Sequence, residues 1–251
     1  MDQDPTRRFS VRAEIYARYR PSYPPQVAEL AERECGLRPG RLVADIGCGT
    51  GLLARLFLER GCVVYGIEPN REMRDAGRQA LAEFAGFHAV EARAEATTLA
   101  AAAVDLVTAG QAAHWFDAEP AHREFSRIVK PGGCLLLVWN EREPAEGFMR
   151  DYEALIARHA PEQSRVEPNR ISRLFGGKEY RTARFENHQT LDLEGLRGRV
   201  ASSSYTPPPG TGGHALLMTK VDELFARHQH QNAVRLLYRT EVYYGPLGAV
   251  L

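Results

Sequence analysis

The stretch LVADIGCGTG, residues 42–51, decides the fold. A short apolar run ends in an acid, Asp45, and glycines follow at alternate positions, Gly47, Gly49 and Gly51. Leu52, Leu53, Leu56 and Phe57 come next at helical spacing. Together these predict a buried strand, a tight glycine turn and the start of a helix over residues 51–60. Glycines let the backbone take left-handed angles and let a ligand come close. The first amides of the helix face the same crevice and favour a polar or negative ligand group.

The spacing separates ligand classes. A dinucleotide fingerprint runs G-x-G-x-x-G. Counted from Gly47, its third glycine falls at Leu52, so a nicotinamide oxidoreductase is the rival reading and fits poorly. Further along, the chain alternates strands and helices. Strands are predicted at residues 62–67, 87–91, 104–109 and 134–139, and helices open at Asn70 and Pro120. In the helix that opens at Asn70, Met73, Ala76, Gly77 and Ala80 are expected to point inward. Lys130 to Gly133 reads as a turn. This alternation predicts a doubly wound α/β fold, a mostly parallel sheet with helices on both faces and its ligand beyond the carboxyl ends of the strands. Before it, Val11, Ile15, Tyr16 and Tyr19 share a helix face that ends at Arg20-Pro21, and Pro24-Pro25 opens a helix to Cys35. After it, helices are predicted at residues 148–159, 193–204 and 214–230, and strands at 181–191 and 234–244.

The D-x-G-x-G-x-G pattern resembles motif I of the class I S-adenosylmethionine (AdoMet)-dependent methyltransferases. The string AHWFD at residues 113–117 and the opening EIYARYRPSYPPQVAEL are similar to a type-11 small-molecule branch that includes trans-aconitate methyltransferase-like proteins. The resemblance implies a Rossmann-like sheet of seven strands, the last antiparallel. It implies a helical N-terminal cover over residues 1–41, an AdoMet-binding core over 42–140 and a C-terminal part with lid helices over 141–251, all in one compact domain. It implies that Asp45 lies near the amino acid end of AdoMet, with Gly47, Cys48, Gly49 and Gly51 packed against the cofactor. Glu68, followed by Pro69, ends the second strand, where a carboxylate can accept two hydrogen bonds from a ribose diol. Ala94 and Glu95 are the expected adenine contacts, and Gln111 the contact to the methionine part. Tyr16, Tyr19 and Arg20 become candidates to line the pocket, with Arg20 suited to the cofactor carboxylate.

His114 is the candidate catalytic residue, as a base for a hydroxyl acceptor or as an orienting donor for a carboxylate, which needs no base. Tyr16, His114, Trp115 and Tyr205 are the candidate acceptor contacts; core packing is the other reading of Trp115, and a surface turn that of Tyr205. No metal is expected. Asp105 begins its strand, at the wrong end of the sheet for the cleft.

Composition narrows the partners. The 251 residues are 44% hydrophobic and 25% charged, as in ordinary globular chains. Lys+Arg and Asp+Glu both number 32, which gives no basic field for nucleic acid. No apolar run of about eighteen residues predicts a membrane span, and MDQDPTRRFS has no apolar signal core. Cys35, Cys48, Cys62 and Cys134 lack metal spacing and read as reduced core thiols. Together with the resemblance, which implies an AdoMet-dependent methyltransferase releasing S-adenosyl-L-homocysteine, this predicts a cytoplasmic protein, monomer or homodimer. Its expected acceptor is a small molecule methylated at a carboxylate or hydroxyl oxygen. A non-catalytic AdoMet-binding module is the remaining rival.

Overall fold

The computed structural model describes residues 13–158, 168–203 and 205–247. Helices α1 (Ala13–Tyr19) and α2 (Gln26–Cys35) lead into β1 (Leu42–Ile46), α3 (Leu52–Leu58), β2 (Val63–Ile67), α4 (Arg71–Ala80), β3 (Phe87–Val90) and β4 (Val104–Gly110). A 3₁₀ turn, Ala113–Trp115, precedes α5 (Ala118–Ile128) and β5 (Val129–Arg142). There follow α6 (Phe148–Ala157), α7 (Pro168–Leu174), β6 (Arg181–Leu191), α8 (Leu193–Ala201), α9 (Gly212–His228) and β7 (Val234–Pro246). The residues expected at Val11, His159 and Ser204 lie outside the described residues.

The seven strands form one sheet in the order β3-β2-β1-β4-β5-β7-β6. β1 to β5 pair in parallel, and β7 runs antiparallel to both β5 and β6. Neighbouring residues of a strand face opposite sides, and here both sides are buried. Ala44, Val107 and Leu135 pack with Phe125 and Ile128 on one face. Val43, Leu106 and Leu136 pack with Val27, Leu30 and Phe57 on the other. A third cluster joins α6, α8, α9 and β7 through Tyr152, Leu196, Val200, Val221 and Tyr238. The strand order reverses at β1, so a crevice opens beyond the ends of β1 and β4.

Four expectations need correction. Ala80 is exposed and Ala76 half-buried, whereas Arg74 of the same helix is buried and donates to the Glu68 carbonyl at 2.9 Å. Charge on that helix face is tolerated because a partner waits inside. Lys130 to Gly133 do not end an element: they are an irregularity within β5, between the pairs Val104↔Val129 and Leu106↔Cys134. The helix expected from residue 214 starts instead at Gly212, because the Thr211 hydroxyl accepts from the His214 amide at 3.2 Å and caps the helix there. α8 stops at Ala201, short of the predicted end at residue 204.

Gly51 caps α3 with φ +83°, and a Cβ built on it would lie 2.4 Å from Leu81 Cδ1. Gly51→Ala therefore forces both a left-handed alanine and a displaced core leucine, with an expected loss of about 3 kcal/mol in urea unfolding. An unfolding midpoint equal to the parent's would refute that account.

Candidate functional site

β1 is apolar on both sides until its fourth residue, so the chain delivers Asp45 to the sheet's carboxyl end wholly buried. Its Oδ1 accepts from the Thr108 hydroxyl at 2.9 Å, while Oδ2 has no hydrogen-bond partner. Burial pushes its carboxyl up to about 7, against the opposing pull of Thr108 and the Ala54 amide, with Glu68 adding to the rise. A buried, half-satisfied carboxylate is costly unless a cation meets it.

Beyond Asp45 the backbone turns through Gly47 at φ +65° and Gly49 at φ +55°. A Cβ on Gly47 would come 2.7 Å from the Ala112 Cβ, so only glycine leaves this floor of the cleft open. Glu68, at the end of β2, lies 8% exposed. One of its oxygens accepts from the Gly49 amide at 3.0 Å and the other from the Asn70 amide at 2.9 Å. Burial raises its carboxyl, and those two amides and Arg74 oppose the rise. Each oxygen keeps a second lone pair for a ligand hydroxyl. Asn70 in turn accepts from the Met73 amide at 2.8 Å and so fixes the start of α4. Glu95 accepts from the Asp117 amide at 2.9 Å, which ties the loop after β3 to the start of α5. Gln111 follows β4 at φ +55°, and its side chain donates to the Asn140 carbonyl at 2.8 Å. Its left-handed backbone is uncommon for a residue other than glycine and marks the cleft wall as over-determined.

These groups line a cleft of about 870 Å³, open solvent at its mouth included. Gly47, Gly49, Glu68, Pro69, Ala94, Glu95 and Gln111 are all in its wall, with Tyr16 and Trp115 at its edge. Three carboxylates, Asp45 behind the floor and Glu68 and Glu95 in the wall, suit a ligand that carries positive charge and hydroxyls. The methyltransferase domain family matches residues 44–137, which run from β1 into β5. An uncharacterized methyltransferase of Mycobacterium tuberculosis (strain ATCC 25618 / H37Rv) is 33% identical over 238 residues, covering 92% of each chain. The chain belongs to this methyltransferase family. A malonyl-[acyl-carrier protein] O-methyltransferase of Enterobacter lignolyticus is 30% identical over 242 residues, 92% of this chain and 85% of that one. In fold, the methyltransferase matches a putative type II methyltransferase from Anaeromyxobacter dehalogenans with a TM-score of 0.68 at 21% identity, over 92% of this chain and 99% of that one.

The methyltransferase does not bring every expected residue to the cleft. Gly51 faces Leu81, and the Cys48 side chain is buried beneath the turn against β2. Tyr19 lies in a separate shallow groove between α1, α8 and α9, where its hydroxyl donates to Glu194 at 2.9 Å. Tyr16, one turn of α1 earlier, lines the cleft instead. Arg20 stacks on the Tyr16 ring, 4.7 Å from its centroid, and donates to the Ser202 carbonyl at 3.1 Å. His114 packs its ring on Trp115 with centroids 4.8 Å apart, and burial followed by Arg170 lowers it to about 4. Tyr205 is held behind Arg142, whose Nη1 donates to its hydroxyl at 3.4 Å.

Other wall residues were not expected. Asn70, Met73 and Phe116 line the cleft; Phe116 lies within AHWFD, where nothing in the string separates it from a core phenylalanine. Tyr23 is buried beside the end of β4, where a Cβ on Gly110 would meet its hydroxyl at 2.5 Å. Nothing in the periodicity around Tyr23 distinguishes it from a core aromatic. Among the described residues, no helix is long and apolar enough to cross a membrane, and no group of three His, Cys, Asp or Glu could hold a metal ion.

Proposed function

We propose that the methyltransferase uses AdoMet to methylate an oxygen of a small-molecule acceptor, releasing S-adenosyl-L-homocysteine. The observation that carries this reading is the buried, unpartnered Oδ2 of Asp45 at the switch point of the sheet. An ammonium group there would satisfy it, Glu68 would take the ribose diol, and Glu95 with Ala94 would take the adenine edge. When bound, AdoMet supplies a methyl group already activated on sulfur. The protein's part is then to align the acceptor oxygen with that methyl and to keep water away. The Gly47 floor permits the close approach, and Trp115 and Tyr16 at the edge supply apolar cover. Oxygen as the acceptor atom is supported by the 30% identical O-methyltransferase.

His114 is not the proton acceptor in this reading. A histidine lowered to about 4 is a poor base at neutral pH. That favours a carboxylate acceptor, already ionised, over an alcohol. His114→Gln is expected to keep kcat within about threefold and to leave the pH profile flat through the ordinary histidine range.

The deciding experiment is calorimetric titration with AdoMet, S-adenosylhomocysteine, NADH and NADPH, followed by mass-spectrometric detection of methylated carboxylic acids and phenols. Binding of the first two only, with a mass gain of one methyl on an acceptor, is expected. Binding of a nicotinamide cofactor would overturn the reading. Tight AdoMet binding with no transfer to any acceptor would leave a non-catalytic binding module.

A further inference from the structure

Behind Tyr16, where α1 meets the end of α8, three guanidiniums come together, Arg199 buried and Arg20 and Arg142 half-buried. Arg199 is 2% exposed; its Nε donates to the Tyr238 hydroxyl at 3.0 Å and its Nη1 to the Ser203 hydroxyl at 3.2 Å. Arg20 reaches the adjoining Ser202 carbonyl, and its Nε is buried without a hydrogen-bond partner. Arg142 completes the group and pairs with Glu153 through both its Nε and its Nη2. Among the described residues neither Arg20 nor Arg199 has a carboxylate within ion-pair distance. The group thus holds more cation than acid. Arg20 is held below its usual range by burial first and by repulsion from Arg199 next.

Water-excluded charge of one sign is costly, and buried cations are normally paired. Neutral hydroxyls and a carbonyl do not supply the missing charge. A guanidinium fork presents paired donors whose geometry matches carboxylate or phosphate oxygens. Tyr205 lies beside the same group. Burial alone would raise its phenol, but Arg142, a hydrogen bond with Ser203, Arg199 and Arg20 together hold it below the ordinary phenol range. The group meets the cleft through Arg20, which stacks on Tyr16 in the cleft wall.

We propose that Arg199, with Arg20 and Tyr205 beside it, is an oxyanion subsite that anchors a carboxylate or phosphate group of the methyl acceptor. The inference deepens the methyl-transfer reading and rests on it for the identity of the ligand in the cleft; the charge imbalance stands without it. If Arg20 takes the carboxylate of AdoMet, Arg199 is still left without a counter-ion, so the acceptor brings a second anion. The acceptor is thus an organic acid or a phosphate ester, and an uncharged alcohol is disfavoured.

The test is thermal melting of the full chain, with and without saturating S-adenosylhomocysteine, in chloride, succinate, citrate, inorganic phosphate and glycerol phosphate at matched ionic strength. The parent, Arg199→Met and Arg199→Lys are compared, and S-adenosylhomocysteine affinity is measured for each. One oxyanion class is expected to raise the parent's melting temperature by several degrees beyond chloride. Whether succinate and citrate or the two phosphates do so identifies the anion. Arg199→Met is expected to lose that shift and to melt no lower than the parent in chloride, since the Tyr238 hydroxyl still donates to Gln189. Arg199→Lys is expected to keep part of the shift and the fold. S-adenosylhomocysteine affinity should stay within twofold in all three. A shift that survives in Arg199→Met, or no shift in the parent with any oxyanion, would overturn the proposal. So would a parallel loss of S-adenosylhomocysteine affinity in Arg199→Met, which would make the anion the cofactor's own carboxylate. An Arg199-dependent shift in a parent that does not bind S-adenosylhomocysteine supports the subsite and overturns the cofactor reading instead.

Discussion

Asp45→Asn is expected to stabilise the ligand-free protein at pH 8 and to weaken S-adenosylhomocysteine binding by about 100-fold or more, the size of a lost charge-assisted hydrogen bond in a buried site. The two effects share one cause. An acid raised from 3.8 to about 7 holds a proton in the folded state that it releases when unfolded. Stability then falls as pH rises from about 4 to about 7 and stays low above that. The full cost at pH 8 is on the order of 4 kcal/mol, because each tenfold change in acidity is worth about 1.4 kcal/mol. Asparagine keeps an acceptor for Thr108 but brings an unpaired N–H worth about 2 kcal/mol. A net gain of about 2 kcal/mol remains, or about 5 °C in melting temperature for a chain of this size. The parent's affinity should fall toward tenfold per pH unit below pH 7, because binding an ammonium requires the ionised acid. Calorimetry between pH 5.5 and 8.5 reads this directly, with proton release visible as a buffer-dependent enthalpy. A pH-independent affinity in the parent, or a less stable Asp45→Asn protein, would remove the assigned role.

Glu68→Ala should cost both fold and ligand. Its two oxygens hold the Gly49 and Asn70 amides, one in the glycine turn and one at the start of α4. Alanine leaves both N–H groups buried and unpaired, an expected loss of about 3 kcal/mol and about 10 °C in melting temperature. Affinity for S-adenosylhomocysteine should drop by about 100-fold as the ribose acceptor disappears. Glu68→Gln separates the two roles, since it retains one acceptor oxygen and the packing. For the parent, an analogue without the ribose 2′-hydroxyl should bind about tenfold more weakly than S-adenosylhomocysteine; for Glu68→Gln the two ligands should bind alike. Equal discrimination by both proteins would show that Glu68 does not read the diol.

The residues that could be placed from sequence are those whose partners are local. Asp45, Gly47 and Gly49 follow from a strand that must end and a turn that must allow left-handed angles. Asn70 caps the helix that its own side chain starts. Where the deciding partner is distant in the chain, pattern reading fails. Arg74 is buried because Glu91 and the Glu68 carbonyl receive it. Arg199 sits on an inward face because Tyr238 and Ser203 are there. Lys130 to Gly133 have the composition of a turn, yet β4 pairs with both flanks across a register shift. AHWFD marked the right corner of the cleft, but a 3₁₀ turn sends Trp115 to the cleft and His114 into packing.

The place of β7 between β5 and β6 has a consequence for synthesis. β6 is made before β7, yet among the described residues its only neighbour in the sheet is β7. Until residues 234–246 leave the ribosome, β5 and β6 both expose the backbone groups they will use for pairing. Such open edges are templates for pairing with other chains. The Asp45 turn, by contrast, is framed by β1, β2 and β4, all complete by residue 110. The nascent chain can thus shape its ligand cleft well before it can close its sheet. A cell rich in the ligand could hold that half-built sheet together while the last strand arrives.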